Sequence, residues 1–121
     1  MPGARTGPGM SLQNSVAIAG IGETDYSRES GRGELRLALE AIFAALDDAG
    51  IDSSEVDGLM RWSVDTSAEA TVAANLGVND LAWFGEVNQA GNVGAALVAH
   101  AASAIHAGLA NVVVIYRAMN G

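Results

Sequence analysis

The polar turn at residues 88–92 is the part of this sequence best placed to do chemistry. The apolar residues 81–87 predict a strand, and the uncharged residues 92–107 predict a helix, so the turn leads into a helix N-terminus. Free N–H groups and the helix dipole favour negative charge there. Asn88, Gly91 and Asn92 are therefore candidate substrate-binding residues, with the alternative that a tight turn simply requires such residues.

Several common chemistries are excluded or disfavoured. The chain has no cysteine, which removes disulfides, thiolate zinc sites and cysteine nucleophiles together. His100 and His106 lie about 120° apart around a helix, which is not the spacing of a metal-binding pair. The Gly20-Ile21-Gly22 segment lacks the third glycine of a dinucleotide fingerprint, so a plain turn is the better interpretation. The sequence predicts no metal site and no separate cofactor.

Composition limits the class of protein and its partners. The 121 residues allow one domain at most, and half of them are hydrophobic, which suits a globular core. A formal charge of −8 argues against nucleic acid or an anionic membrane surface as a partner. Residues 1–14 are expected to form a flexible leader without the apolar core of a signal peptide, so a cytoplasmic location is expected.

Apolar patterning predicts the order β-α-β-α-β-α-β, and hence an α/β fold with a mostly parallel sheet and helical crossovers. The predicted strands cover residues 15–22, 56–62, 81–87 and 111–116. The predicted helices cover residues 34–49, 66–76 and 92–107. Gly50 is expected to end the first helix, and Thr66 and Glu69 are expected to form a capping box at the start of the second. The apolar face of the first helix is predicted to comprise Leu35, Leu39, Ile42, Phe43 and Leu46.

The segment from Val87 to Tyr116 contains no Asp, Glu, Lys or Arg. Its length would satisfy a crude transmembrane screen, but the two histidines and the break at residues 108–111 argue against a membrane span. A helix without a polar face is buried on all sides. This predicts a larger, five-layer αβαβα arrangement in which the helix lies between two sheets, and of which residues 15–121 form an incomplete part.

The turn and its flanks resemble the elbow of the thiolase superfamily, whose pattern is V-N-x-x-C-x-S-G. Val87, Asn88 and Gly94 match that pattern, and Gly91 stands at the position of the nucleophilic cysteine. Over residues 16–121 the chain is similar to the N-terminal part of the thiolase fold. Three segments, at residues 16–27, 55–59 and 116–121, more specifically resemble thiolase-like lipid-transfer proteins, a group related to sterol carrier protein X thiolase and including steroid side-chain aldolases.

The resemblance implies retro-aldol cleavage of a steroid side-chain β-hydroxyacyl-CoA, with coenzyme A as part of the substrate. The acid and base residues of this group, which are tyrosines, lie in the C-terminal half, so no catalytic residue is assigned in this chain. Two alternatives remain open. One is a degenerate thiolase or acetyl-CoA acyltransferase, and the other is a non-catalytic scaffold that binds lipid or coenzyme A ligands.

The resemblance also implies two protein partners. A homodimer is expected through the edge strand at residues 81–87, where Trp83 and Phe84 supply the apolar contact. A small partner protein with an OB-fold and a zinc ribbon is the second expectation.

Overall fold

The computed structural model describes residues 16–25, 31, 33–63, 67–78, 80–88 and 93–118. Within these ranges the chain forms three α-helices, three β-strands and a 3-10 turn at Ser53–Glu55. In chain order the main elements are α1 (Glu34–Ala49), β1 (Gly58–Trp62), α2 (Glu69–Leu76), β2 (Trp83–Val87), α3 (Val93–His106) and β3 (Val113–Tyr116). The predicted alternation of helices and strands is confirmed for these six elements.

The three strands form one parallel sheet in the order β2-β1-β3. Helices α1 and α2 cover one face, where Ile42 and Leu59 belong to the larger core cluster. Helix α3 covers the other face, where Leu97 packs with Met60. Leu59 is 0% exposed, and burying such a side chain contributes about 1.5–3 kcal/mol. The described residues thus form three layers, and the predicted α/β class is confirmed.

Helix α1 buries a slightly different stripe from the predicted one. Its buried residues include Ala38, Ile42 and Leu46, whereas Phe43 is 47% exposed. Positions 38, 42 and 46 follow one another at a spacing of four, so they share the helix face that the sheet and α2 cover. The helix ends at Gly50 as predicted, with a φ of 70°, in the left-handed region that glycine adopts without strain.

Asp57, the residue before β1, holds the starts of the other two strands. Its carboxylate accepts hydrogen bonds from the backbone N–H groups of Asn111 and Val112, at 2.8–3.0 Å. Its carbonyl oxygen accepts from the N–H groups of Ala82 and Trp83, at 2.9 and 3.1 Å, and its own N–H donates to the carbonyl of Val112 at 3.2 Å. One residue therefore sets the relative position of all three strands.

The strand predicted over residues 15–22 is wrong for residues 16–22, which the structure leaves outside any strand, and Ser15 lies outside the described residues. The N–H of Ile21 donates to Oδ2 of Asp48 on α1, at 3.0 Å. A Cβ placed on Gly20 would lie 2.5 Å from the carbonyl oxygen of Ala45. The glycines of this segment thus allow it to lie against the backbone of α1, so it is not hydrogen-bonded in the sheet.

The capping box predicted at residues 66–69 is also wrong. Helix α2 begins at Glu69 with Ala68 as its N-cap and no side-chain cap, and Thr66 lies outside the described residues. Glu69 Oε1 instead accepts a hydrogen bond from Nε of Arg61 at 2.8 Å, and a terminal nitrogen of Arg61 lies 2.7 Å from Oε2 of Glu86. The nearly buried Glu69 carboxylate is better stabilised by a charged guanidinium than by a neutral backbone N–H.

This ion-pair cluster shifts the pKa of Arg61. The hydrogen bond to Glu69 raises the pKa of Arg61 against the opposing effect of burial, and the charges of Glu69 and Glu86 add to the rise. Arg61 is therefore a fixed cation that links the sheet to α2.

Helix α3 is buried on one face in the described part of the chain. Leu97, Ala101 and Ala104 are buried, whereas Val98 is 43% exposed and His100 is also exposed. Burial on all sides, and with it the five-layer arrangement, stays a prediction. None of the helices within the described ranges is long and apolar enough to cross a membrane.

Replacing Asp57 with alanine should destabilise the protein. Two backbone donors would lose a charged acceptor, and hydrogen bonds to charged groups contribute about 1.5–3 kcal/mol each. We expect chemical denaturation to show a loss of at least about 2 kcal/mol in the free energy of unfolding. The control is Asp47→Ala, at an exposed position on α1. Equal stability of the two variants would contradict the role assigned to Asp57.

Replacing Arg61 with glutamine should also destabilise the protein, because it leaves the nearly buried Glu69 without its cation. Breaking a fully buried pair costs about 3–5 kcal/mol, and this slightly exposed pair should cost somewhat less. The matched control is Arg36→Gln, which breaks an exposed pair with Glu40 on α1 and should cost less than about 0.5 kcal/mol. The comparison uses the same denaturation experiment. A loss for Arg61→Gln no larger than that for the control would show that the cluster does not hold α2 in place.

Candidate functional site

The three parallel strands end at the same side of the sheet, which we call the carboxyl edge. The residues that follow β1, β2 and β3 are Ser63, Asn88 and Arg117. In open parallel sheets, ligands bind outside the carboxyl ends of the strands. The carboxyl edge is therefore the candidate functional site.

The turn singled out in the sequence starts at this edge. Strand β2 ends at Val87 and helix α3 begins at Val93, so the strand and the helix on either side of the turn are confirmed. Asn88 is exposed at the start of the turn. Gly91 and Asn92 lie outside the described residues, and their role in ligand binding stays a prediction.

Asn88 is hydrogen-bonded to the residue that follows the neighbouring strand, β1. The hydroxyl of Ser63 donates to Oδ1 of Asn88 at 3.1 Å. The backbone N–H of Ser63 donates to the carbonyl of Val87 at 3.0 Å. These two contacts anchor the start of the turn to the end of β1.

An aromatic ring and a cation lie together at the carboxyl edge. The guanidinium carbon of Arg117 is 4.6 Å from the centroid of the Trp62 ring, within the range of a cation–π interaction. Trp62 is half-buried and packs against the cluster of Met60, Val87 and Leu97, which places it on the α3 side of the sheet. The site thus holds an exposed positive charge on the side of the sheet from which α3 starts.

The α2 side of the same edge is filled by internal contacts. Arg61 is bound to its two carboxylates there, and its partner across the sheet is Tyr116. The buried hydroxyl of Tyr116 donates to the carbonyl of Ser67 at 2.5 Å. This side of the edge therefore supports the fold, whereas the α3 side carries the groups that a ligand can reach.

An apolar groove of about 430 Å³ lies along β3, between residues 16–22, α1 and α3. Apart from Asn111, Tyr116 and Arg117, its lining residues are all apolar or glycine. Among the described strands β3 pairs with β1 alone, so the groove lies along the side of β3 that faces away from β1. The groove itself offers few polar groups, so the polar groups near it are mainly those of the carboxyl edge at its end.

Other predicted sites fall elsewhere. Trp83 and Phe84 lie at the opposite, amino end of β2, remote from the carboxyl edge. His100 is exposed on α3 and His106 is half-buried in its last turn. Within the described ranges, no three His, Asp or Glu side chains lie close enough together to hold a metal ion.

Sequence reasoning did not single out Arg61, Trp62 or Arg117 as site residues. One signal could have found them: all three lie within one residue of the ends of strands that were predicted from the sequence. Arg117 also belongs to the segment at residues 116–121 on which the family resemblance rests. What no sequence pattern could tell was which face of the sheet each side chain takes.

The carboxyl edge offers hydrogen-bonding groups, a stacked cation and a helix start, but no cysteine, since the chain has none. The hydroxyl of Ser63 lies at the start of the turn, and it donates its proton to Asn88. The arrangement is suited to binding and polarising a ligand, and to stabilising negative charge on it, more than to covalent catalysis.

Two proteins of known activity are similar to this chain in sequence, although no protein-family model matches it. It is 49% identical over 109 residues to a steroid side-chain-cleaving aldolase of Thermomonospora curvata. It is 48% identical over 109 residues to 17-hydroxy-3-oxo-4-pregnene-20-carboxyl-CoA lyase of Mycobacterium tuberculosis. Each alignment covers 90% of this chain, and the chain spans only 28% of the length of each relative.

Solved structures agree with these relatives. An Ltp2-ChsH2(DUF35) aldolase aligns with a TM-score of 0.83 and 50% identity, over 86% of this chain and 27% of that one. A monomeric SCP2-thiolase-like protein type 1 from Mycobacterium smegmatis aligns with a TM-score of 0.67 and 27% identity, over 81% of this chain and 22% of that one. The chain is therefore a homologue of these two relatives over the region that it spans, and its α/β fold matches part of an SCP2-thiolase-like structure.

Proposed function

We propose that this chain is part of an enzyme that cleaves a bulky β-hydroxyacyl-CoA by a retro-aldol reaction. The observation that carries the proposal is a thiolase-like turn before α3 in which Gly91 replaces the nucleophilic cysteine, in a chain without any cysteine. The two similar proteins, which are named an aldolase and a CoA lyase, support the same chemistry. Since the chain spans 28% of their length, the activity is proposed for a longer protein.

The reaction needs a base and a site for negative charge, but no covalent acyl-enzyme. A base removes the proton of the β-hydroxyl, whose oxygen becomes a ketone or aldehyde carbonyl as the bond between Cα and Cβ breaks. The electron pair of that bond forms the enolate of the thioester. Protonation of the enolate at Cα then gives a shortened acyl-CoA. A thiolate that would hold an acyl group has no part in these steps.

We propose that this chain supplies the electrostatic part of the mechanism. The enolate oxygen carries the negative charge, and the N–H groups and dipole at the start of α3 stabilise such a charge. Asn88, held by Ser63, positions the turn that leads to this helix start. Gly91 leaves space for the thioester because it has no side chain. The acid and base tyrosines that the family resemblance implies would come from the rest of the protein.

Steroid acyl-CoA thioesters are the proposed substrates, because both similar proteins are named for steroid cleavage or a pregnene carboxyl-CoA. A DUF35-type protein is the proposed partner, since the structural neighbour is an aldolase named together with one. This agrees with the small OB-fold and zinc-ribbon partner expected from the family resemblance. The cytoplasm is the proposed compartment.

A homodimer through β2 is also proposed. Strand β2 is at the edge of the described sheet, and Phe84 is 65% exposed on it. An exposed apolar edge strand is an aggregation hazard unless it is paired. Trp83 contributes less to this surface than Phe84, because it is half-buried against the α3-side core.

The full-length protein, with a DUF35-type partner if it requires one, should cleave a steroid side-chain β-hydroxyacyl-CoA. The measurement is release of a ketone or aldehyde and of a shortened acyl-CoA, by liquid chromatography and mass spectrometry. The parallel assay is CoA-dependent cleavage of the matching β-ketoacyl-CoA. Cleavage of the ketoacyl substrate alone would indicate a degenerate thiolase, and turnover of neither would indicate a non-catalytic scaffold.

Replacing Gly91 with cysteine in the full-length protein should slow aldol cleavage, because the added side chain crowds the turn. It should not create thiolysis, since the other acyl-transfer residues would still be missing. The new thiol should react readily with an alkylating reagent, because a helix start lowers the pKa of a cysteine. Gly91→Ala is the control for crowding without a thiol. Immediate gain of thiolysis by Gly91→Cys would overturn the aldolase interpretation.

Phe84→Lys should shift the full-length protein from dimer toward monomer, because it places a charge on the exposed edge strand. Sedimentation velocity measures the change. Trp83→Lys is a poorer variant than Phe84→Lys, since it also disturbs the core on the α3 side. An unchanged sedimentation coefficient for Phe84→Lys would argue against pairing at this edge.

A further inference from the structure

The exposed apolar side chains in the described part of the chain are concentrated at one place. Seven large apolar side chains are exposed there, and four of the seven line the groove along β3, namely Ile18, Ile21, Val98 and Ile115. Ile18 and Ile21 are 73% and 77% exposed. A contiguous apolar surface that is open to water marks a contact with another segment or molecule. The groove therefore has the character of a contact surface.

The groove lies at the level of the sheet. Its lining includes Ala45 and other residues of α1 on one side, and Ala102 and other residues of α3 on the other. Both helices contact β3, and they pack on opposite faces of the sheet. A segment in the groove would therefore lie between two helical layers, as a buried strand of an α/β sheet does.

The backbone of β3 offers hydrogen bonds along the groove. The N–H of Gly58 donates to the carbonyl of Val112, and Gly58 is in register with Val113. Alternate residues of a strand direct their backbone groups to opposite sides, so those of Val113 and Ile115 point away from β1 and toward the groove. A hydrocarbon ligand would bury these groups without partners, whereas a strand would bond to them.

The opposite wall of the groove is formed by residues 16–22, all of which are apolar or glycine. This segment is held on α1, where the N–H of Ile21 donates to Asp48. A Cβ placed on Gly22 would lie 2.4 Å from the backbone nitrogen of Ala45, so the segment already lies as close to the helix as its glycines allow. It stays apart from β3, and the groove runs between the two.

We infer that this groove receives a β-strand from the part of the full-length protein that lies outside this chain. The chain spans 28% of the length of each curated relative, so most of such a protein is available to supply the strand. The inference rests on the proposal that the chain belongs to a longer protein, and not on the aldol reaction. Because α1 and α3 would cover both faces of the strand, it should be an uncharged, apolar run of about four to six residues.

Hydrogen–deuterium exchange of the full-length protein tests the inference, without ligand or partner and at a concentration low enough to keep it monomeric. The amide protons of Val113 and Ile115 should exchange at least about a hundredfold more slowly than those of an unstructured peptide of the same sequence. Hydrogen bonds to an inserted strand would protect them even in the absence of any second molecule.

Two variants of the full-length protein give an independent measurement. Ile18→Asn places a polar group in the groove, and Leu109→Asn is the matched control, because Leu109 is exposed but does not line the groove. Ile18 is the more exposed of the two, so without a cover its replacement should cost no more. If a strand covers it, Ile18→Asn should lower the melting temperature by at least about 5 °C more than Leu109→Asn.

Rapid exchange of the Val113 and Ile115 amides in the full-length protein, together with equal melting of the two variants, would overturn the inference. Protection that arises only on addition of a steroid acyl-CoA or a DUF35-type protein, or only on dimer formation, would also overturn it, and would assign the groove to that molecule. If Ile18→Asn does not fold, Ile18→Ala takes its place. Protection in a protein that cleaves no β-hydroxyacyl-CoA would keep the strand and reject the aldolase proposal, whereas cleavage without protection would do the reverse.

Discussion

The hydrogen bonds made by Asp57 are the constraint on which the rest of this structure depends. Its carboxylate accepts from the start of β3, and its carbonyl accepts from the start of β2. Gly58 next to it has no room for a side chain, since a Cβ there would lie 2.8 Å from a methyl group of Val113. The three parallel strands start at the same level at one end of the sheet, so they also finish at a similar level at the other end. Ser63, Asn88 and Arg117, which follow the three strands, therefore all lie at the carboxyl edge.

The two faces of the sheet carry different side-chain contacts. Alternation along β1 sends Leu59 and Arg61 toward α2, and Met60 and Trp62 toward α3. Arg61, on the α2 side, pairs with the carboxylates of Glu69 and Glu86 and so links the sheet to α2. The Trp62 ring on the α3 side contacts the guanidinium of Arg117 at the carboxyl edge. A shift of one residue in the register would exchange these roles, so the function proposed here depends on the strand register.

The proposed retro-aldol chemistry uses the helix N-terminus that follows a thiolase-type elbow, and it does not need the cysteine nucleophile that Gly91 replaces. The homologous aldolase and lyase share about half of their residues with this chain over the aligned region. A strand that ends at Val87 and a helix that starts at Val93 preserve a helix N-terminus at the carboxyl edge. Such an arrangement can stabilise an enolate without forming an acyl-enzyme, which is the requirement of a retro-aldol cleavage.

The sequence by itself determined the alternation of the six described helices and strands, the stop at Gly50, and the strand and helix on either side of the turn after Val87, because apolar periodicity and glycine conformation are local properties. Only the tertiary structure decided that residues 16–22 lie against α1, and that Glu69 pairs with Arg61 and does not cap α2. It also placed Arg117 over Trp62. These contacts join residues that are distant in the chain, and their geometry depends on strand register and on which face of the sheet each side chain takes. Neither is encoded in any short segment.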